Sequence, residues 1–480
     1  MTPRAALVSG AIALLLSACS AVGPDYRLPD AAQLRSPDAC QAFQEAGQPP
    51  FGRDDLPYAW WRLYEDPALN DLIARALVAN AGLRAAAANL ARSEAVVREV
   101  DGLRDPSLGA GVAIERAQVS AESYLLEHKV PVFNLGNAGL RAHYQVDLAG
   151  QLRRALEVAE AEAGAVQAAG DLARISVVAD TALAYMDACA AGEALDLARR
   201  ALALQVRERE AIARLVAGGR RIPLDLPRAA EQEDQLRAAL PAFAARRRSA
   251  AYRLAALTGQ PPARAPAAAE ACRHLPDLAQ PIPVGDGAAL LRRRPDVRQA
   301  ERRLAAASAR IGVATAALYP SLSFGLSAGG TGILSHLGEA PTQRWSLGPV
   351  LSWSLPGEEA RARVAQADAG AAGALATLDQ VVLNALQETE SALATLARDR
   401  DRHAALQQAR AHAETARRQV HTLYQAGRTG VLDDLDAERR LLAADARLAA
   451  HRGRLATDEI RLFLALGGGW QPGEVHTTPQ

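Results

Sequence analysis

Ser321-Leu322-Ser323-Phe324-Gly325-Leu326-Ser327 alternates large apolar residues with small ones. The pattern returns at Trp345-Ser346-Leu347-Gly348-Pro349-Val350-Leu351-Ser352-Trp353-Ser354-Leu355. A period of two is the signature of a β-strand with unlike faces. Two earlier stretches read the same way. Leu108, Ala110, Val112 and Ile114 alternate with Ser107, Gly109, Gly111 and Ala113, and Leu140, Ala142, Tyr144, Val146 and Leu148 with Arg141, His143, Gln145 and Asp147. Strands of about 9 to 11 residues cross a bilayer when tilted, with lipid on the apolar face and water on the other. A soluble sheet with one buried face would show the same alternation, but the chain offers few other strands for it to pack on. Four strands cannot close a barrel, and hydrocarbon tolerates no open strand edge. Spanning strands therefore require several chains in one wall; three copies would supply twelve.

The rest of the chain reads as helix. Gln151 to Val216 and Glu358 to Ala426 contain no proline, and a helix of that length spans about 100 Å. Leu172, Ile175, Ala179, Ala182, Met186 and Cys189 form a heptad seam, as do Leu375, Leu378, Val382, Ala385, Thr389, Ala392 and Leu396. A second stripe, Leu383, Leu386, Leu393 and Ala397, predicts that the later helix touches two neighbours. Helices at 67–103, 223–258, 288–318 and 431–466 are each about half as long, with Pro223 and Gly430 marking sharp turns. Composition agrees: 49% of the 480 residues are hydrophobic but only 4% aromatic, which suits close-packed Ala-rich helices better than a large enzyme core. The 54 basic and 54 acidic residues cancel, which excludes the basic footprint of a nucleic-acid binder.

The chain is written twice. Pro106-Ser107-Leu108 returns as Pro320-Ser321-Leu322, and Leu215, Gly219-Arg220 and Leu224-Asp225 as Leu423, Gly427-Arg428 and Leu432-Asp433. The expected layout is a signal peptide at 1–18, an extended segment at 19–66, a first repeat at 67–260, a Pro- and Ala-rich connector at 261–287, a second repeat at 288–470 and a tail at 471–480. Each repeat reads as helix, two strands, long helix, helix.

Arg4 followed by the apolar run Ala5 to Ala18 reads as a secretory signal. Leu16-Ser17-Ala18-Cys19 resembles a bacterial lipoprotein processing box, which implies a mature N-terminus at Cys19 carrying diacylglycerol and an N-acyl chain. Of the other cysteines, Cys189 reads as a small core residue, and Cys40 with Cys272 as a possible periplasmic disulfide. His403, His412 and His421, nine apart, read as solvated helix surface. No phosphate loop, HExxH or paired-cysteine motif occurs, so no enzyme and no cofactor beyond the lipid is expected.

Taken together, these residues resemble the outer-membrane factors of tripartite efflux systems, the TolC-like channels, in their lipoprotein branch. The resemblance rests on Val22-Gly23-Pro24-Asp25-Tyr26 after Cys19, on Trp60-Trp61 with Asp66-Pro67-Ala68-Leu69, and on Leu291-Arg292-Arg293-Arg294-Pro295-Asp296-Val297. Ala316, Leu318-Tyr319-Pro320, Tyr424 to Glu438 and Ala465 to Trp470 complete it. It implies a mainly α protein with a transmembrane β-barrel: a homotrimer whose 12-strand outer-membrane barrel, four strands per chain, continues into a periplasmic α-helical barrel. The implied partners are outer-membrane lipid, a periplasmic adaptor (membrane fusion protein) and an inner-membrane RND transporter, and the implied function is passive exit of small toxic compounds. A duct for protein or peptide export could use the same scaffold; a coiled-coil spacer lipoprotein would leave the alternating strands unexplained.

In the family, two inward acids three apart constrict the periplasmic entrance, and Asp433 and Asp436 match them. An i, i+3 pair shares a helix face, and carboxylate rings favour cations; the same acids also suit the helix N-terminus as first-turn charges. Only Asp225 corresponds in the first repeat, where Pro223 and Pro227 break the likeness, so the two turns should differ. Gly219, Arg220, Gly427 and Arg428 match positions where the family meets its adaptor, and equally suit plain turn chemistry.

Overall fold

A computed structural model of the chain describes residues 21–47, 51–52, 54–122, 125, 127–278 and 281–470. The signal peptide, Cys19 and the 471–480 tail lie outside them. The duplication is visible element by element. The first half runs α1 (Pro67–Ala79), α2 (Ala81–Gly102), β1 (Ser107–Ala117), β2 (Phe133–Val146), α3 (Gln151–Ala217) and α4 (Asp225–Leu257). The second runs α5 (Gly287–Arg293), α6 (Pro295–Ala316), β3 (Ser321–Ile333), β4 (Gln343–Ser352), α7 (Glu358–Gln425) and α8 (Val431–Ala465).

The first helix of each half is broken where one continuous helix was expected. In 67–103 the break is Asn80, whose side chain accepts from the Gly82 and Leu83 amides (2.8 and 3.3 Å) and donates to the Leu257 carbonyl (2.9 Å). It thus starts α2 while holding the end of α4, the usual work of an N-cap. In 288–318 the break is Arg294, because Pro295 has no amide to extend α5 and is suited to open α6.

The four strands form one antiparallel sheet in the order β1-β2-β3-β4. The register places Leu108 opposite Ala142, Ala142 opposite Leu326, and Leu326 opposite Leu347. The whole apolar set therefore shares one face. β2 begins at Phe133, well before the alternation at Leu140, because Phe133 to Gly139 pair with Ala117 to Gly111. Among the described residues no strand pairs with the outer side of β1 or β4.

Two compact units result, and each takes pieces from both halves. One comprises the described residues of Met1–Asp30 with Asn89–Gln167 and Gln299–Leu378; it holds the sheet. The other comprises Ala31–Ala88, Ala168–Arg298 and the described part of Asp379–Gln480. Its core packs Trp60, Leu69, Leu72, Ile73, Val178, Met186, Leu254, Ile460 and Phe463, with Trp60 stacked on Phe463 at 4.6 Å. The seams end up inside, since Ile175, Ala182, Met186, Leu378, Val382, Ala385 and Leu396 are buried. Of the second stripe, Leu393 is buried and Leu386 and Ala397 pack against the same core, whereas Leu383 is 49% exposed.

The cysteines pair differently from the expectation. Cys189 is bonded to Cys272, and Cys40 is free and exposed. Cys189 is fully buried, as a core residue would be, but the connector brings Cys272 onto its helix. Unreduced, alkylated protein is expected to release Cys189 and Cys272 in one linked peptide and Cys40 alkylated. A Cys40–Cys272 peptide would contradict this.

Candidate functional site

The turns after the two long helices share one design. At the end of α3 the Gly219 amide bonds Val216 and the Arg220 amide bonds Leu215; at the end of α7 Gly427 bonds Tyr424 and Arg428 bonds Leu423. Both glycines are left-handed, with φ of 67° and 70°, as this type of helix stop requires. All four residues are exposed. The turns then diverge as the prolines predict. Seven residues separate α3 from α4 and five separate α7 from α8. Asp225 pairs with Arg221 at 3.2 Å, and α4 has no side-chain cap.

α8 begins with one half of a capping box, the N3 carboxylate reaching back to the amide of the N-cap Gly430. Asp433 accepts from Thr429 Oγ1 (2.7 Å) and the Gly430 amide (3.1 Å), and these bonds hold its carboxyl below the usual range. One turn on, Asp436 is paired with Arg439 and, at 2.7 Å, with Arg440; the two guanidinium groups outweigh its partial desolvation and lower its pKa. Leu435 between them is buried against Leu204 and Ala211 of α3. The two acids thus stay at the surface while the turn is anchored through its apolar side. Asp434 meets His421 Nδ1 at 3.1 Å. The histidine row is accordingly less uniform than a solvated face: His412 is exposed, but His403 stacks on His451 at 5.8 Å.

The sheet separates its chemistry by face. On the apolar face Val112 is 75% and Trp345 79% exposed, so nothing among the described residues covers them. The opposite face carries Ser107, Arg141, His143, Asn137, Ser327, Thr331, Ser346 and Arg344 around a floor of glycines. Ser327 and Ser346 share a hydrogen bond across β3 and β4 (2.8 Å).

Two nearly buried arginines tie in the chain ends. Arg154 of α3 donates to the carbonyls of Val22 and Gly23 (both 3.1 Å), to Asp25 (2.8 Å) and to Glu157 (2.7 Å). Gly23 is needed there because a Cβ would lie 2.4 Å from Gly312 Cα. Arg294 donates to both oxygens of Asp296, to the Ala465 carbonyl (3.0 Å) and to Glu388 (2.9 Å). Beside it Trp470 bonds the Arg293 carbonyl and lies under Arg298 at 4.6 Å. The motif Leu291 to Val297 therefore fastens the C-terminal stop.

Reasoning from sequence did not find the buried carboxyls of α8. Glu459, bonded to Tyr64 (3.2 Å) and Arg400 (3.1 Å), is pushed up to about 7 by burial. Asp458 rises to about 6 through burial and its neighbour Asp399. Both of these aspartates line an alanine-rich cavity of 1010 Å³. Their only sequence signal is acids in an otherwise apolar helix stretch.

Residues 72–260 and 288–468 match the family described as outer membrane efflux protein. Nodulation protein T of Rhizobium leguminosarum bv. viciae is 29% identical over 489 residues, covering 98% of this chain and 94% of that protein. Outer membrane protein OprJ of Pseudomonas aeruginosa is 29% identical over 96% of this chain and 95% of its own. Among solved structures, the outer-membrane channel OprN is similar with a TM-score of 0.83 and 33% identity, over 94% of this chain and 100% of that one.

Glu459 gives a test of the helical core. Folded, it keeps its proton to about pH 7, whereas an unfolded glutamate loses it near 4.3. The folded state binds more protons between those values, so stability falls as pH rises through the window, by up to about 4 kcal/mol. Glu459→Gln should flatten the decline in unfolding midpoint between pH 5 and 7.5. Identical slopes for both proteins would reject the assignment.

Proposed function

The chain belongs to the outer membrane efflux protein family, and we propose that it works there as a lipid-anchored homotrimer. It is an outer-membrane channel, the exit duct of an efflux system, and it extends into the periplasm. One observation carries the trimer: a four-stranded sheet with an exposed apolar face and two open edges. In lipid each unpaired amide or carbonyl costs several kcal/mol. Joining β1 of one copy to β4 of the next removes every edge, and three copies form a twelve-stranded wall enclosing the polar face.

Acylation at Cys19 fits the anchoring of the segment behind it. The Val22 amide bonds the Ala149 carbonyl (3.0 Å), three residues past the end of β2. Extended chain from Val22 to Cys19 reaches about 10 Å, so lipid on Cys19 would enter the bilayer beside the strand ends. A second acyl chain makes such anchoring stable.

At the periplasmic entrance, Asp433 and Asp436 form the gate, six carboxylates around the axis of a trimer. Gly219, Arg220, Gly427 and Arg428 present two like turns per chain to a periplasmic adaptor, which joins the duct to an inner-membrane RND transporter. Cargo selection then lies mainly with the pump.

Purified trimer in planar bilayers should conduct, and Asp433→Ala with Asp436→Ala should raise basal conductance several-fold. A chain that gives no pores would overturn the channel assembly. Unchanged current in the double variant would remove those two acids from the gate.

A further inference from the structure

On the polar face of the sheet, the positions opposite Arg141 in β1 and β3 are Gly109 and Ser327. The next inward-facing level holds Gly111, Gly139, Gly329 and, on β4, Arg344. Arg141 and Arg344 line one hollow of 130 Å³, whose floor includes Gly111 and Gly139. The floor is bare by necessity at its centre, where a Cβ on Gly139 would lie 2.9 Å from the Ala328 carbonyl. Two residues along a strand and two strands across separate the arginine Cα atoms by about 12 Å, close enough for both guanidinium groups to reach a single small solute.

The charges are uncompensated. Arg344 is steadied by neutral oxygens, its Nε donating to Thr331 Oγ1 (2.8 Å) and its Nη2 to Asn137 Oδ1 (2.9 Å). Those bonds fix the guanidinium without neutralising it. Among the described residues no carboxylate pairs with it or with Arg141, and both are exposed. The acids of this face, Glu115 opposite Leu135 near the far end of β1 and Asp147 just past the end of β2, lie about 20 Å or more away. That exceeds a Debye length of about 8 Å.

We propose that Arg141 and Arg344 form an anion-binding station in the wall of the duct, one per chain, that takes carboxylate-bearing solutes and chloride. A guanidinium offers fixed, paired donors to a carboxylate, and charged rings set the selectivity of a pore. The station favours anions, opposite in sign to Asp433 and Asp436. The inference rests on the reading of the polar face as the lumen of a closed trimer.

The test is the reversal potential of single trimers in planar bilayers across a KCl gradient. A unit charge about 7 Å from the ion path changes local anion concentration about 1.5-fold at a Debye length of about 8 Å, and each trimer carries two such charges from every chain. Arg141→Gln with Arg344→Gln should therefore lower the chloride-to-potassium permeability ratio by about threefold or more, with trimer mass and sheet content unchanged. Because the channels differ only in the two arginines, acids elsewhere cancel from the comparison. An unchanged ratio in conducting double-variant channels overturns the station and leaves the duct intact. If the double variant fails to assemble, Arg141→Gln alone decides, since that side chain has no hydrogen-bond or ion-pair partner among the described residues. Wild-type protein that never conducts removes the duct and the station together.

Discussion

The outward-facing backbone groups of β1 and β4 constrain everything else in this protein. Each edge strand carries a row of amides and carbonyls that have no strand partner among the described residues, on a sheet whose apolar face is clad in Leu108, Val112, Leu326, Leu347 and Trp345. In water such an edge would invite aggregation. In lipid it is prohibitive, and only closure with other copies resolves it. The apolar face prescribes the solvent, and the solvent prescribes the assembly.

A wall shared among chains needs each chain to deliver its strands in a fixed orientation, and the two buried arginines serve that need within their own units. Arg154 gathers the segment after Cys19 onto the start of α3, close to where β2 ends. Arg294 fastens the start of α6 to the end of α8. Both are charges held out of water by several hydrogen bonds. Removing Arg294 would strand the buried Ala465 carbonyl rather than merely delete a contact. Their neighbours Gly23 and Pro295 follow from the same geometry.

Much of this was legible in the sequence because it is periodic or punctuated. The strand alternation gave the correct apolar face, and proline-free runs gave α3 and α7 to within a residue. The glycine-arginine pairs at 219 and 427 marked matching helix stops. What stayed hidden depends on contacts between distant segments. Asn80 looked like any polar helix residue until the Leu257 carbonyl supplied its second partner. The first half of β2 has no alternation of its own and is held by pairing with β1. Cys189 carries the spacing of a core seam, which says nothing about the connector that presents Cys272. Similarly, Arg141 and Arg344 become neighbours only through sheet register.

The most direct test of the shared wall is the mass of the mature protein, extracted in mild detergent, measured by native mass spectrometry together with circular dichroism. Three chains should travel as one particle, and single chains should appear only as β signal is lost. A stable single chain that keeps its full sheet content would contradict the account.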